Sequence, residues 1–128
     1  MDIKTHQKVN QAFAGTPVTI EEEHAIVKLE MTSDMVLDET GLIHGGFIFS
    51  LADYTAMLTI NKPTVVLGGA NCRFTVPVKE GDELRAEGML SRVDGKKLVV
   101  DVNIKRGDEV VFIGEFYCFA PEKHVLHD

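Results

Sequence analysis

The sequence has little of what disulfide-bonded, zinc-binding or nucleic-acid-binding proteins usually contain. It has no tryptophan and only two cysteines, Cys72 and Cys118, which lie far apart and form no CxxC motif. Such cysteines are typical of small core residues in a reducing compartment, so we expect neither a disulfide framework nor a metal site. Lys and Arg number 13 against 20 Asp and Glu, which gives a net charge of −7. This acidic balance argues against general binding to nucleic acid or to an anionic membrane.

Long apolar runs are also absent. None is long enough to cross a bilayer, and the first 15 residues lack the continuous apolar core of a signal peptide. We therefore expect a cytoplasmic protein that does not span a membrane. Apolar residues make up 45% of the chain and charged residues 26%, as is ordinary for a globular protein. The length predicts a single domain over residues 1–128 with a substantial core.

The most apolar stretch of the chain contains one ionisable side chain, Asp53. Between Phe47 and Ile60 the other polar residues are only serine and threonine, and apolar residues occupy every face at helical spacing. This pattern is typical of a buried helix. An unpaired buried carboxylate is costly and usually has a partner, access to water or a raised pKa. Perturbed carboxylates cluster at functional sites, so Asp53 is a catalytic candidate. The alternative is an aspartate that hydrogen-bonds to a neighbouring strand or subunit.

Around this helix the patterning predicts mainly strands. A short amphipathic helix is predicted over residues 4–14, an alternating strand over 18–31 and a loop over 32–43. Proline 63 should end the buried helix. The predicted β segments after it cover residues 64–76, 82–93, 97–106 and 109–120. DG and GD pairs between the last three segments favour tight hairpins. One long helix and about five antiparallel strands predict an α+β fold with the sheet wrapped around the helix.

Two sequence elements add a family resemblance. The segment GLIHGG (residues 41–46), followed by LAD ending at Asp53, is similar to the GxxHGG…LAD signature of acyl-CoA thioesterases. The segment FTVPVKEGD (residues 74–82) is similar to the FxxPVxxGD element of the same proteins. Over roughly residues 17–120 the chain resembles hotdog-fold acyl-CoA thioesterases, most closely those of the phenylacetate pathway. The resemblance implies a hotdog fold, an acyl-CoA substrate and a homodimer, further paired into a dimer of dimers.

The helix start suits the chemistry that this resemblance implies. Thioester hydrolysis passes through an oxyanion, and the first turn of a helix offers N–H groups without intrahelical partners. Gly45 and Gly46 leave this end open to a ligand, although they could instead serve close helix–sheet packing. The resemblance implies that the Gly45 amide is the oxyanion donor. It also implies that Asp53 acts as general base on water or as nucleophile, two routes that the sequence leaves open.

The spacing of these two residues predicts how the chain assembles. Gly45 and Asp53 are eight residues apart, which on one helix is roughly 12 Å along the axis. A reacting carbon must lie about 3 to 3.5 Å from its attacking group. One helix can hardly present both groups to one carbonyl, whereas two antiparallel helices of a symmetric dimer could. The resemblance implies the same arrangement.

His44 and Asp38 are further catalytic candidates. A histidine can act as acid or base near neutral pH, but His44 lies nine residues from Asp53, on the opposite side of a helix. In the family this position more often orients the helix start. Asp38 stands six residues before His44, where related enzymes commonly have asparagine. A carboxylate there could raise the pKa of Asp53 by repulsion, bind water with a different polarity than an amide, or cap the loop.

Contacts to the substrate are harder to predict. Residues 68–70 lack bulky side chains, so a pantetheine arm could lie beside them. The candidate substrate-binding residues are Gly46, Phe47, Met57, Gly69, Ala70 and Asn71. Core packing explains the two larger side chains equally well. Basic residues that could meet the phosphates of coenzyme A, or simply form a solvated face, are Arg73, Lys79, Arg85, Arg92, Lys96, Lys97, Lys105 and Arg106. No cofactor is expected beyond the coenzyme A that the substrate carries.

Two other functions remain open. A hotdog hydratase or dehydratase could use Asp38 and His44 as a pair, but the N-P element expected between these residues in that relative is missing. A non-catalytic acyl-CoA-binding or sensing domain is the third possibility. Free-thiol release, enoyl-CoA hydration and binding without turnover distinguish the three.

Overall fold

The computed structural model describes residues 1–127, and a single long helix lies at its centre. This helix, α2, spans Gly45–Ile60 and follows a one-turn helix, α1, at Gln11–Ala14. The six strands are β1 (Thr16–Glu21), β2 (His24–Glu30), β3 (Val66–Phe74), β4 (Glu83–Asp94), β5 (Lys97–Arg106) and β6 (Glu109–Phe119). All neighbouring strands are antiparallel, in the order β1-β2-β4-β5-β6-β3. The predicted α+β architecture, a sheet wrapped around a helix, is confirmed. No helix in residues 1–127 is long and apolar enough to cross a membrane.

Helix α2 begins and ends where the sequence indicates. His44 is the N-cap residue, and Asn61 ends the helix in the left-handed conformation, donating its backbone N–H to the Met57 carbonyl oxygen at 2.8 Å. Asparagine tolerates this conformation, and Pro63 follows shortly after it. Nine of the sixteen helix residues are buried, on all sides of the helix. The prediction of a buried helix is therefore confirmed.

The two buried threonines of α2 form side-chain hydrogen bonds within the helix. The Thr55 hydroxyl donates to the Leu51 carbonyl oxygen at 2.7 Å, and the Thr59 hydroxyl donates to the Thr55 carbonyl oxygen at 2.8 Å. Both threonines face Gly88 of β4, where a Cβ atom would collide with the Thr59 hydroxyl. This glycine lets the helix approach the sheet closely. The buried threonines thus need no partner outside the helix, in contrast to Asp53.

Two sequence predictions about the amino-terminal third were wrong. The segment 18–31 is not one strand, because β1 and β2 form a hairpin that turns at Glu22 and Glu23, with Glu23 at φ 61°. The predicted helix over 4–14 forms only in its last turn. The residues before it are held by a tertiary contact instead. The Asn61 side chain accepts from the Lys4 N–H and donates to the Asp2 carbonyl oxygen, both at 2.8 Å.

The four later strands agree with the sequence prediction to within two residues at each end. Gly95 and Gly107 stand in the two predicted hairpin turns with φ of 63° and 60°. Glycine adopts these angles without strain, as tight hairpins require. Local turn chemistry was therefore sufficient to define this half of the sheet.

Candidate active site

Asp53 lies in the middle of α2 with one carboxylate oxygen that has no partner. Among residues 1–127, its Oδ1 is the only buried side-chain oxygen or nitrogen without a hydrogen bond. Burial raises the pKa of Asp53 from 3.8 to about 6. A carboxylate in this condition is mostly ionised at neutral pH but partly desolvated, so it is more basic than an exposed aspartate. The arrangement can accept a proton from water or attack a carbonyl carbon.

Cys118 of β6 lies near this carboxylate but is a poor nucleophile. Its thiol is buried, and burial, with a smaller contribution from the charge of Asp53, raises its pKa to about 12. The thiolate is the reactive form of cysteine, so Cys118 stays an inert thiol near neutral pH. Asp53 therefore remains the reactive candidate on this side of the helix.

The amino-terminal end of α2 carries two N–H groups that bind nothing within residues 1–127. Neither Gly45 nor Gly46 donates its backbone N–H to a protein acceptor, and no side chain caps the helix. These groups lie at the positive end of the helix dipole, where an anion is stabilised. A Cβ atom at Gly45 would meet only the Phe74 ring, at 3.4 Å. The Gly45 amide is thus free and bordered by one aromatic ring.

Phe74 is the neighbour of Gly45 that sequence reasoning missed. Its side chain is 50% exposed and packs edge-on against Phe112, with ring centroids 5.1 Å apart. Together with Leu42, Ile48 and Val76 it lines an apolar hollow of about 240 Å³ that includes Gly45. The FxxP element contained the signal, since it places this phenylalanine at the end of the strand that follows α2. The hollow is suited to an apolar group close to the free amides.

His44 is the N-cap residue of α2, and within the described chain its side chain forms no hydrogen bond with Asp53. Its backbone N–H donates to the Met35 carbonyl oxygen at 2.9 Å, and its ring lies edge-on to Phe47 at 6.0 Å between centroids. The ring also lies where a Cβ atom at Gly46 would be, at 2.9 Å from Nε2. The side chain is exposed and does not cap the helix. A glycine at position 46 therefore leaves room for the His44 ring.

Asp38 is occupied within its own loop. Its Oδ1 accepts from the Thr40 backbone N–H at 2.9 Å and from the Thr40 hydroxyl at 2.5 Å. These two bonds lower the pKa of Asp38, whose side chain is exposed. Burial, and not charge repulsion from Asp38, accounts for the raised pKa of Asp53 in the single chain. Of the roles considered for Asp38, the cap of its own loop is the one that these hydrogen bonds fit in the single chain.

The predicted substrate-binding residues lie in three different places. Gly46 and Phe47 are at the start of α2, where Phe47 is half-buried against Phe13 at 5.6 Å between ring centroids. Met57 is completely buried, which fits the alternative of core packing. The others follow one another on β3: Gly69 pairs with Tyr117 of β6, and Ala70 and Asn71 are exposed.

The basic residues considered for coenzyme A phosphates are partly committed to protein partners. Arg92 donates to Glu115 at 3.1 Å, Arg106 pairs with Asp82 and Glu109, and Lys97 lies over the Tyr117 ring at 5.0 Å. These three positions fit the alternative of a structural or solvated face. No group of three His, Cys, Asp or Glu residues within the described chain could hold a metal ion.

The two chemically distinctive groups of the helix do not meet within one chain. Helix α2 runs without interruption from Gly45 to Ile60. The Gly45 amide and the Asp53 carboxylate are therefore separated by roughly 12 Å along the helix axis. The two groups are thus spaced along the helix as the sequence predicted. A single chain does not bring them together.

Comparison with known proteins points to one family. The model of the thioesterase superfamily matches residues 40–113, which include the helix start, α2, β3 and β4. A solved structure of an uncharacterized protein from Pyrococcus horikoshii is 50% identical with a TM-score of 0.97, covering 99% of this chain and 98% of that one. A Streptococcus mutans protein solved with bound acetyl-CoA is 25% identical with a TM-score of 0.80, over 92% and 97% of the two chains. The predicted hotdog fold is confirmed by these matches.

The curated relatives carry different names and are longer proteins. A methylthioribose-1-phosphate isomerase of Aquifex aeolicus is 49% identical over 117 residues, which are 91% of this chain and 26% of that protein. A transcription factor FapR of a Thermoanaerobacter species is 35% identical over 129 residues, covering 96% of this chain and 64% of that protein. The chain thus spans between about a quarter and two thirds of the length of such relatives.

Proposed function

Because the chain belongs to the thioesterase superfamily, we propose that it hydrolyses the thioester of a small, medium or aromatic acyl-CoA to the free acid and coenzyme A. The observation that carries this proposal is the pairing of two features on one helix. An unpartnered buried carboxylate oxygen, that of Asp53, lies in the middle of α2, and free amides lie at its amino-terminal end. Acyl transfer needs a group of each kind.

The proposed reaction uses each group for one task. The Asp53 carboxylate takes a proton from water as the water oxygen bonds to the thioester carbon, or it attacks that carbon directly and is released by water. The carbonyl oxygen becomes an oxyanion, which accepts a hydrogen bond from the Gly45 N–H. Collapse of this intermediate breaks the carbon–sulfur bond, and the coenzyme A thiolate leaves. General base catalysis typically contributes about 10² to 10⁴-fold, and an oxyanion donor about 10² to 10³-fold.

Two copies of the chain are needed for this reaction. Since Gly45 and Asp53 are too far apart on one helix, the Gly45 amide of one protomer faces Asp53 of its partner in the proposed dimer. The position of β3 supports this assembly, because it is an edge strand of the sheet and pairs within the chain only with β6. An unpaired strand edge is a template for pairing with another chain. Pairing of β3 with its copy would bring Ala70 and Asn71 to the interface.

Coenzyme A as part of the substrate is supported by a relative. The Streptococcus mutans protein with the same fold was solved with acetyl-CoA. The apolar hollow beside Gly45, bordered by Phe74, is a suitable place for the reacting end of an acyl group.

The test is free-thiol release from a panel of short, medium and aromatic acyl-CoAs. Wild type is compared with Asp53→Asn, which keeps the side-chain shape but cannot act as base or nucleophile. Asp101→Asn, on an exposed position of β5, is the matched control. We expect turnover by wild type and control and a loss of at least ~10²-fold for Asp53→Asn. Turnover by Asp53→Asn at the wild-type rate, or none by wild type, contradicts the proposal.

A second candidate function is acyl-CoA binding without turnover, as one part of a regulator. It is favoured by the similarity to proteins named transcription factor FapR, of which this chain covers only part. Calorimetric titration with a non-hydrolysable acyl-CoA analogue measures binding independently of chemistry. Binding by wild type together with no thiol release would favour this function over hydrolysis.

A further inference from the structure

One arginine connects three elements next to the helix start. Arg106, at the end of β5, donates from Nη1 to Asp82 Oδ2 at 2.7 Å and to the Pro77 carbonyl oxygen at 3.2 Å. Its other terminal nitrogen pairs with Glu109 of β6. The Arg106 and Asp82 side chains are 28% and 10% exposed. The guanidinium therefore ties both ends of the turn over residues 77–82 to the β5–β6 hairpin.

Asp82 links the Arg106 guanidinium to the backbone of the turn. The same Oδ2 atom accepts from the Lys79 backbone N–H at 3.0 Å. Burial pushes the pKa of Asp82 upward, but the hydrogen bonds from the Lys79 N–H and Arg106 outweigh it and hold the pKa below its usual value. The carboxylate is therefore ionised at neutral pH, as a charge-assisted bond to arginine needs.

The turn over residues 77–82 is itself bound by backbone hydrogen bonds to the loop that precedes Gly45. The Ile43 N–H donates to the Val78 carbonyl oxygen, and the Glu80 N–H donates to the Gly41 carbonyl oxygen, both at 2.8 Å. Leu42 and Lys79 form a bridge between these two bonds. Only His44 separates this small ladder from Gly45. The turn that Arg106 holds is thus one support of the free amide, beside the bond from the His44 N–H to the Met35 carbonyl oxygen.

We propose that Arg106 is a positioning residue for the hydrolysis, which holds the Gly45 amide in place through Asp82 and the turn over residues 77–82. This inference rests on the proposed function. The hydrogen bonds of the Arg106 side chain go to Pro77, Asp82 and Glu109, and none goes to Gly45 or Asp53. Its role is geometric, because a displacement of about 1 Å in a catalytic group can cost up to ~10²-fold in rate.

The kinetic test replaces Arg106 by glutamine, which cannot hold both Asp82 and Pro77. We expect kcat for the best acyl-CoA to fall roughly tenfold, with KM changed less than about twofold, because an oxyanion contact acts in the transition state. Arg106→Lys should recover part of kcat, since an ammonium can still pair with Asp82. Glu87→Gln is the matched control, because it weakens another interstrand pair, with His24 at 2.6 Å, that has no hydrogen bond to the loop.

A double-mutant cycle tests the route. If Arg106 acts through Asp82, then Asp82→Asn with Arg106→Gln should be about as slow as either single variant, because the effects of coupled residues do not add. Multiplied losses in the double variant would overturn the route through Asp82.

Amide hydrogen exchange gives a readout that needs no substrate. In Arg106→Gln, faster exchange should be confined to the turn 77–82 and to residues 41–46, with the rest of the sheet as in wild type. Faster exchange throughout the chain would indicate a general loss of stability and would overturn the positioning role. Active wild type with Arg106→Gln at the wild-type kcat overturns this inference alone. Wild type that releases no thiol from any acyl-CoA instead contradicts the proposed function and removes the reaction that Arg106 would serve.

Discussion

Gly45 and Asp53 lie on the same uninterrupted helix, eight residues apart. The amide of the first has no protein acceptor, and one carboxylate oxygen of the second has no hydrogen-bond donor. A helix separates such groups by roughly 12 Å, so they can act together only when a second helix brings the complementary group. The proposed reaction in the proposed dimer gives a role both to the free Gly45 amide and to the unpartnered carboxylate oxygen of Asp53.

Replacing Gly45 by proline removes the proposed oxyanion donor without deleting a side chain. Proline is well suited to the first helical position, and His44 before it is in the extended region that proline requires, at φ −65° and ψ 127°. We expect kcat to fall about 10² to 10³-fold, measured by thiol release. Gly45→Ala keeps the N–H and places a Cβ 3.4 Å from the Phe74 ring, so it measures separately the cost of a side chain at this position. Gly45→Pro with the wild-type kcat would contradict the role of the amide.

The pH dependence of hydrolysis should report Asp53. Only the ionised carboxylate can act as base or nucleophile, and its pKa is raised to about 6. We expect kcat/KM to rise with pH through a midpoint at about 6 and to level off about one pH unit above it, measured with one acyl-CoA at constant ionic strength. An ascending limb centred near the ordinary aspartate value would show that the reacting group is not this buried carboxylate.

The free energy of unfolding should fall as the pH rises, whereas hydrolysis should become faster. Because burial raises the pKa of Asp53 from 3.8 to about 6, the folded protein binds more protons than the unfolded chain between these values. This difference in proton binding by Asp53 contributes its full amount to the free energy of unfolding below about pH 4. The contribution is lost as the pH rises through about 6. A shift of about two units corresponds to roughly 3 kcal/mol as an order of magnitude.

Asp53→Asn removes this titration. Denaturant unfolding at several pH values should therefore give a flatter pH profile for the variant than for wild type, and a more stable variant at pH 7. The same pH dependence in both proteins would contradict the burial of an ionised carboxylate.

Gly88→Ala tests the close approach of helix and sheet. The new Cβ collides with the Thr59 hydroxyl and lies 3.2 Å from the Thr55 methyl group. Overpacking of this kind costs about 1 to 3 kcal/mol of the free energy of unfolding, measured by denaturant titration. Adding Thr59→Ala should restore part of the loss, because it removes the atom that the Cβ meets first. A double variant no more stable than the additive expectation would contradict this packing.

Local patterns predicted α2 and the four later strands, because apolar spacing, Asn61 and the two glycine turns each act within a few residues. They failed for the β1–β2 hairpin, since an exposed turn of glutamates continues the polar alternation of a strand. They also failed for residues 4–10, at whose start Asn61, from the far end of α2, binds the backbone of Asp2 and Lys4. The ion pairs of Arg106 with Asp82 and Glu109 depend on tertiary contacts that one sequence does not encode locally. Asp53 was found from the sequence because a lone carboxylate in an apolar helix is unusual, whereas the role of Gly45 came from the resemblance to acyl-CoA thioesterases.

Mixing two inactive variants tests the composite site most directly. Gly45→Pro and Asp53→Asn chains are unfolded together, refolded and assayed for thiol release. If each site takes its amide from one chain and its carboxylate from the other, half of the dimers are mixed and each has one intact site, which restores about one quarter of the wild-type activity. Each variant refolded alone stays inactive as the control. Activity no higher than that of the separate variants, in a sample shown to contain mixed dimers, would contradict a site shared between two chains.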